Sequence, residues 1–175
     1  MLFGDPSKFA IEVAAEADSA LPAFVGKSLA GRFRLYLAGE SIGRFEEPCC
    51  VLAPIADHFV QMCVAVSFLW HSSFNGLSDE QLFELLDGAL FLGEINVFPE
   101  QFHRMSFLTN VSECLDGLKG FLVSPEPGLL KALVRVQATQ KLVSAQFSVH
   151  ELCSAASGFE KWVQKHEAGG NDRDA

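Results

Sequence analysis

Two early segments, in which large apolar residues alternate with smaller or polar ones, constrain the fold of this chain most. Every second residue is large and apolar over residues 9–13, and the same alternation returns over residues 33–37. A period of two is typical of a β-strand that buries one face. The turn-forming residues 38–40 follow the second segment. We therefore predict a strand over residues 9–13 and a hairpin over residues 32–45.

The residues before the first strand form a turn motif. Gly4 tolerates a positive φ, Asp5-Pro6 favours a turn or an extended conformation, and the Asp5 carboxylate is expected to accept a hydrogen bond from the amide of Ser7 or Lys8. The motif can be purely structural, or its residues can line a contact edge. Because the turn leads directly into a strand, we expect the mature fold to begin at residue 1.

Residues 51–70 are the most apolar stretch and have a different period. Apolar residues recur at spacings of three and four from Ile55 to Leu69, and Pro54 stands where the first turn of a helix tolerates a missing N–H donor. Asp57 and His58 would be costly at the centre of a bilayer. We therefore predict an amphipathic core helix that Asn75-Gly76 ends, and no membrane span.

Two short motifs predict the starts of two further helices. Ser78 is followed three residues later by Gln81, and Ser148 is followed three residues later by Glu151. In such a capping box the Ser side chain satisfies a free amide of the first turn, while the Gln or Glu side chain reaches back to the amide of the Ser. We predict a second helix that begins at Ser78 and a last helix that ends near Lys165.

The remaining segments complete the predicted fold. We predict strands over residues 102–108, 120–123, 130–136 and 142–147, a short helix over residues 111–118, and a connection over residues 17–27. Residues 168–175 contain nothing to bury and are predicted to be a disordered tail. The sequence therefore predicts one α+β domain over residues 1–167, with a mostly antiparallel sheet packed against about three helices.

The net charge of the chain bears on the class of molecule that it can bind. The 175 residues include 13 Lys and Arg and 22 Asp and Glu, which gives a net charge of 13 − 22 = −9. Nucleic-acid binding depends on clustered cations, so this balance argues against a nucleic-acid partner and favours a basic one. The alternative is that the charge only keeps the protein soluble.

Cysteine content and the N-terminal residues bear on the compartment. The cysteines are odd in number, and most lie in apolar stretches, where a free Cys packs as a small hydrophobe. They are Cys49, Cys50, Cys63, Cys114 and Cys153. The N-terminus has no basic region followed by an apolar run and a cleavage site, so no signal peptide is readable. We expect free thiols and a cytoplasmic location.

Catalytic and metal-binding motifs are incomplete. The segment His150-Glu151-Leu152-Cys153-Ser154 begins like a zinc protease helix, but Ser154 stands where the second His ligand is required. A Cys–His nucleophile would need a histidine beside a cysteine in space, which no spacing in the chain requires. No glycine run has the spacing of a phosphate-binding loop. We expect no catalysis, no metal and no cofactor.

An acidic stripe on the second predicted helix is the remaining candidate site. Glu80, Glu84 and Asp87 recur at i, i+4 and i+7 opposite the apolar face, and Asp79 lies beside them. The ordinary interpretation is a solvated helix face. The functional interpretation is a decoy for a cationic cleft, in which aligned carboxylates speed encounter with a basic partner. These four residues are our candidate partner-binding residues.

Three segments resemble the immunity protein 42 family of bacterial polymorphic toxin systems. They are residues 3–12, residues 31–43 and residues 159–163. The resemblance implies a cytosolic antidote that binds one toxin, made by the same cell or its kin, and keeps it inactive by occlusion. It implies no catalysis and no cofactor.

Two functions from other classes remain open beside the resemblance. One is a non-enzymatic adaptor or self-assembling scaffold, in which Trp70 or Trp162 anchors an exposed apolar patch. The other is a hydrolase whose site carries no recognisable motif.

Overall fold

A computed structural model describes residues 1–16, 29–46, 50–92, 102–109 and 111–170 of the chain. The connection predicted over residues 17–27 lies outside the described residues. So do Cys49 and residues 171–175 of the predicted tail.

The first antiparallel sheet confirms the strand and the hairpin that the alternating pattern predicts. Its strands are β1 (Leu2–Asp5), β2 (Phe9–Ala15), β3 (Ala30–Leu37), β4 (Glu40–Ile42) and β5 (Cys50–Val51). The order is β1-β2-β3-β4, and β5 pairs with the opposite end of β3. Ile11 pairs with Leu35 and Val13 with Phe33, so the alternating apolar residues of β2 and β3 share one fully buried face.

The second sheet is also antiparallel and has the order β6-β7-β8. Its strands are β6 (Leu118–Glu126), β7 (Leu129–Val136) and β8 (Lys141–Ser148), and each contains a predicted strand. Phe121 of β6 pairs with Leu133 of β7, which pairs with Ser144 of β8. Partners in a register share a face, so these three residues lie on one side of the sheet.

Within the described residues, three α-helices accompany the two sheets of the α+β fold that the sequence predicts. They are α1 (Leu52–Ala65), α2 (Asp79–Asp87) and α3 (Val149–Gly170). Short 3₁₀ turns lie at Val66–Phe68, Ser72–Phe74, His103–Met105 and Glu113–Leu115, and a π-helical turn at Gly88–Leu92 follows α2. Helices and sheets pack into one compact body, which confirms the fold class.

Aromatic packing joins α1 and α3 to the buried face of the first sheet. The Phe59 ring of α1 lies 5.9 Å from the Phe33 ring and 6.3 Å from the Phe9 ring, and the Phe159 ring of α3 lies 6.0 Å from the Phe33 ring. All four rings are fully buried. Among the described residues, no fully buried residue is polar or charged, so the packing of this core is apolar.

Two predicted elements of the middle region are wrong. The strand predicted over residues 102–108 is a 3₁₀ turn followed by a single bridge between Ser106 and Phe121. Its apolar side chains enter the core from a turn, because the amides of Phe107 and Leu108 both donate to one carbonyl, that of Gly120. Within residues 111–118, where a helix is predicted, the structure has one 3₁₀ turn, because β6 already begins at Leu118.

The ends of two helices also differ from prediction. α1 ends at Ala65, well before Asn75-Gly76, where the sequence predicts its end, and a 3₁₀ turn follows. α3 continues to Gly170, beyond the predicted end at Lys165 and into the first residues of the predicted tail. Its exposed last turns bury little, and its length follows from local helix-forming residues such as Gln164 and Glu167.

Cys114 contradicts the expectation of free thiols. It is disulfide-bonded, whereas Cys63 and Cys153 are free. The spacing of cysteines in the sequence could not reveal the bond, because the tertiary fold decides which thiols meet. Burial, together with a hydrogen bond to Cys153, raises the pKa of the Cys63 thiol well above its usual range.

Candidate partner-binding site

Helix α2, which carries the acidic stripe, lies on the face of the second sheet that bears Phe121. Its start is the predicted capping box, in which Ser78 accepts from the Gln81 amide at 3.3 Å and the Ser78 amide donates to the Gln81 side chain at 3.0 Å. The Phe83 ring packs edge-on against the Phe121 ring at 5.1 Å. Leu82 and Leu86 are buried beside it, so the apolar face of α2 meets the sheet as predicted.

Cations of the second sheet pair with every carboxylate of the acidic stripe. Asp79 accepts from Lys131 at 2.7 Å and from the Ser144 hydroxyl at 2.5 Å. Asp87 accepts from Lys119 at 2.6 Å.

The two middle carboxylates of the stripe share one partner. The Arg135 guanidinium donates to Glu80 and to Glu84, each at 2.5 Å. Because one planar group holds two carboxylates one helical turn apart, α2 is clamped to β7 along its length.

The side chains of the acidic stripe differ in how much of their surface is exposed to solvent. The side chains of Glu80 and Glu84 are 61% and 56% exposed, whereas that of Asp87 is only 14% exposed. The expectation of one uniformly exposed stripe is therefore wrong at Asp87, which the β6 strand covers. Sequence periodicity identifies the face of a helix but not the cations that a distant strand brings beside it.

The electrostatic effect of the stripe is small at long range. Four carboxylates face three cations, which leaves a net charge of 3 − 4 = −1. Burial alone would raise the pKa of Asp79, but hydrogen bonds from Lys131 and Ser144 outweigh it and lower the pKa overall. The pairs dock α2 on the sheet, and Glu80 and Glu84 are the most exposed of the four carboxylates.

A second candidate surface is a cleft of about 490 Å³ that follows the C-terminal end of α1. Two segments that are distant in sequence form it. Its lining residues are Ser67, Phe68, Trp70, His71, Phe102, Arg104 and Met105. Phe74 lies directly behind it, with its ring 5.5 Å from the Phe102 ring and 5.4 Å from the Trp70 ring.

Among the lining residues that the structure describes, Arg104 is the one with a permanent charge. Its guanidinium carbon lies 4.5 Å from the centroid of the Phe68 ring, a cation–π arrangement. The Phe68 side chain is 57% exposed, and Val64, one turn earlier on the chain, is 72% exposed. Sequence reasoning identified only Trp70 of this surface, as a possible anchor of an exposed apolar patch, because the apolar period of residues 51–70 predicts a buried helix face.

His71 presents a fixed donor at the same cleft. Its Nδ1 accepts from the Ser73 amide at 3.2 Å, so the neutral ring carries its proton on Nε2. Sequence reasoning had considered His71 only as a possible partner of a nucleophilic cysteine.

The residues that could suggest catalysis in the sequence either lie in solvent or make structural hydrogen bonds. His150 is exposed in the first turn of α3. The Glu151 carboxylate accepts hydrogen bonds from the Ser148 amide and from Lys8, each at 2.7 Å. The hydrogen bond from Lys8 lowers the pKa of Glu151. His58 is largely buried and its Nε2 donates to the Phe107 carbonyl at 2.8 Å. Across the ranges given above, no three metal-ligating side chains come together.

Comparison with known proteins adds one finding. The family described as immunity protein 42 matches residues 1–128, which confirms the resemblance seen in the sequence. The match spans the first sheet, α1, α2, β6 and both candidate surfaces. No curated protein and no solved structure matches the chain significantly. No helix in the described ranges is both long enough and apolar enough to cross a membrane.

Proposed function

Because this chain belongs to the immunity protein 42 family, we propose that it neutralises one cognate toxin by binding the toxin and occluding a surface that the toxin needs. The family match over residues 1–128 is the observation that carries the proposal. Binding alone suffices for this function, so the chain requires no catalytic residue and no cofactor. An interface of about 800 Å² on each side is typical of such complexes.

The proposal includes the kind of partner and the place of action. A net charge of −9 favours a toxin with a basic surface over a nucleic acid or an anionic membrane. The chain acts as one domain over residues 1–167, in the cytoplasm where the toxin would otherwise act.

The acidic stripe contributes to encounter in this proposal. Glu80 and Glu84 keep more than half of their side-chain surface in solvent, so their carboxylates can attract a basic toxin while Arg135 holds them in place. Asp79 and Asp87 serve mainly to fix α2, and their contribution to binding is indirect.

Co-expression tests the proposal. The toxin domain encoded by the neighbouring reading frame is expressed in a sensitive host, with and without this chain. We expect growth only when the chain is present, together with a stoichiometric complex on size-exclusion chromatography. Cell death despite full expression of the chain would contradict the proposal. A stable homo-oligomer that ignores the toxin would instead favour the scaffold function.

A further inference from the structure

We infer that the cleft after α1 is the docking site for a carboxylate of the toxin, carried beside an apolar or aromatic residue. The inference rests on the proposed function and names the surface on which it depends. Three independent features of the cleft support it: an arginine with no ion pair to any described residue, a lining rich in hydrogen-bond donors, and exposed apolar side chains.

The first feature is the state of Arg104. Arg32, Arg34 and Arg135 each pair with a carboxylate of a neighbouring strand or helix. Among the described residues Arg104 has no carboxylate partner and contacts the Phe68 ring instead. An exposed guanidinium that is stacked on a ring keeps its donors free and aligned for a carboxylate from outside.

The second feature is the polar character of the lining. Arg104 offers guanidinium donors, Trp70 an indole N–H and His71 its Nε2–H. The Ser67 hydroxyl is the one strong side-chain acceptor in the lining. A site with many donors and few acceptors is complementary to a group that only accepts, and an ionised carboxylate is such a group.

The third feature is the pair of exposed apolar side chains. Phe68 lines the cleft and is 57% exposed, and Val64, four residues earlier in the chain, is 72% exposed; apolar residues exposed close together mark interaction sites. Aromatic residues, Met and Arg are enriched at the centres of protein interfaces and among residues that dominate affinity. The cleft combines Phe68, Trp70, Met105 and Arg104, so its composition is that of a protein interface.

The cleft is preformed. Phe74 and Phe102 behind it are buried, and the Leu69 carbonyl accepts from the Ser124 amide of β6 at 2.8 Å. A rigid site loses little conformational entropy when its partner binds.

Charge complementarity identifies the occupant. Residues 58–78 contain no Asp, Glu, Lys or Arg, and among the described lining residues Arg104 alone carries a permanent charge. Glu80 and Glu84 attract a toxin of net positive charge, and one carboxylate on its surface then fixes the register at Arg104.

Calorimetric titration with the neighbouring-frame toxin domain, inactivated by mutation, tests the inference. We expect Arg104→Glu to weaken binding about 100-fold and Phe68→Ala at least about 10-fold, as for central interface residues. The matched control is Lys165→Glu, which makes the same charge change on an exposed site of α3. Cys153, which meets the end of α1 at Cys63, lies 12 residues before Lys165, about 18 Å along the helix.

Charge exchange provides the decisive step. One Asp→Arg or Glu→Arg variant of the toxin should bind Arg104→Glu better than it binds the unaltered chain. Circular dichroism melting should show that all variants keep the fold, since both residues are exposed.

The possible failures are distinguishable. If the unaltered chain binds no toxin, both the proposed function and the assignment of the cleft are contradicted. If the unaltered chain binds and Arg104→Glu binds equally well, the cleft assignment alone is overturned. The unaltered chain could also form a dimer that the Arg104→Glu variant does not form. That result would assign the cleft to a second copy of the chain and would also overturn the inference.

Discussion

The guanidinium carbon of Arg135 lies 4.2 Å from the centroid of the Phe83 ring. One side chain of β7 thus contacts the apolar face of α2 and, through Glu80 and Glu84, its acidic face as well. Aromatic packing and ion pairing on α2 therefore meet at one side chain, that of Arg135.

Replacement of Arg135 by Ala should lower the free energy of unfolding by about 1–2 kcal/mol, because a largely covered cation–π contact and a shared ion pair are lost together. The matched control is Arg104→Ala, which removes an exposed arginine over Phe68 without breaking an ion pair and should change stability by less than about 0.5 kcal/mol. Urea unfolding measures both. Equal losses in the two variants would contradict the special role of Arg135.

The exposed half of the acidic stripe should act on the rate of association. Because Glu80 and Glu84 face solvent, the double variant Glu80→Gln/Glu84→Gln should slow toxin binding several-fold, roughly 3–10-fold, at low salt and little at high salt. Stopped-flow fluorescence measures the rate. Glu40→Gln/Glu167→Gln makes the same net change elsewhere and should leave the rate near that of the unaltered chain. Identical rates for both double variants would exclude the stripe.

Stability should depend on pH through His58. Burial, partly opposed by the hydrogen bond to Phe107, lowers the pKa of His58 in the folded protein. In the unfolded chain His58 binds a proton near pH 6.5, whereas in the folded chain it binds that proton only at lower pH. The free energy of unfolding is therefore highest above pH 7 and falls as the pH drops below 6.5.

Two variants separate His58 from the other histidines. His58→Gln should flatten the stability profile between pH 7 and about pH 5, because the titrating group is gone. His150→Gln, at an exposed position of α3, should keep the slope. Chemical unfolding at several pH values makes the comparison. A slope that survives in His58→Gln would assign the pH dependence to another group.

Gly31 should tolerate no side chain. A Cβ at this position of β3 would meet the Ala14 carbonyl oxygen of β2 and the Leu52 side chain of α1. We expect Gly31→Ala to lower the free energy of unfolding by about 3 kcal/mol, at the upper end of overpacking. Gly39→Ala has open space but a φ of +85°, and should lose only about 1 kcal/mol from backbone strain. Urea titration measures both, and the reverse order would contradict the crowding at Gly31.

Local chemistry made several features predictable. The two Ser-initiated helix starts depend on residues three apart, and both capping boxes form as expected. Gly4 adopts a φ of +98°, and the Asp5 carboxylate accepts from the Ser7 amide at 2.9 Å, as the opening turn predicts. Such features need no information from distant residues.

The features that sequence reasoning missed all join distant segments. Arg135 lies 51 residues from Glu84, and no periodicity on α2 could indicate that a strand would bring it there. The cleft likewise combines residues near 70 with residues near 104. Apolar residues 102–108 match a strand pattern, but the core takes them from a turn, since packing overrides propensity.

The family match ends at residue 128, in the turn between β6 and β7. A chain cut at this turn would leave Phe121, Leu122 and Val123 on a strand that has lost its neighbour, and would strip α3 from α1. An unpaired apolar strand of this kind recruits other chains and aggregates. An exchange of the matched part between members of the family would therefore have to carry residues 129–170 along with it, since the folding unit extends beyond the matched residues.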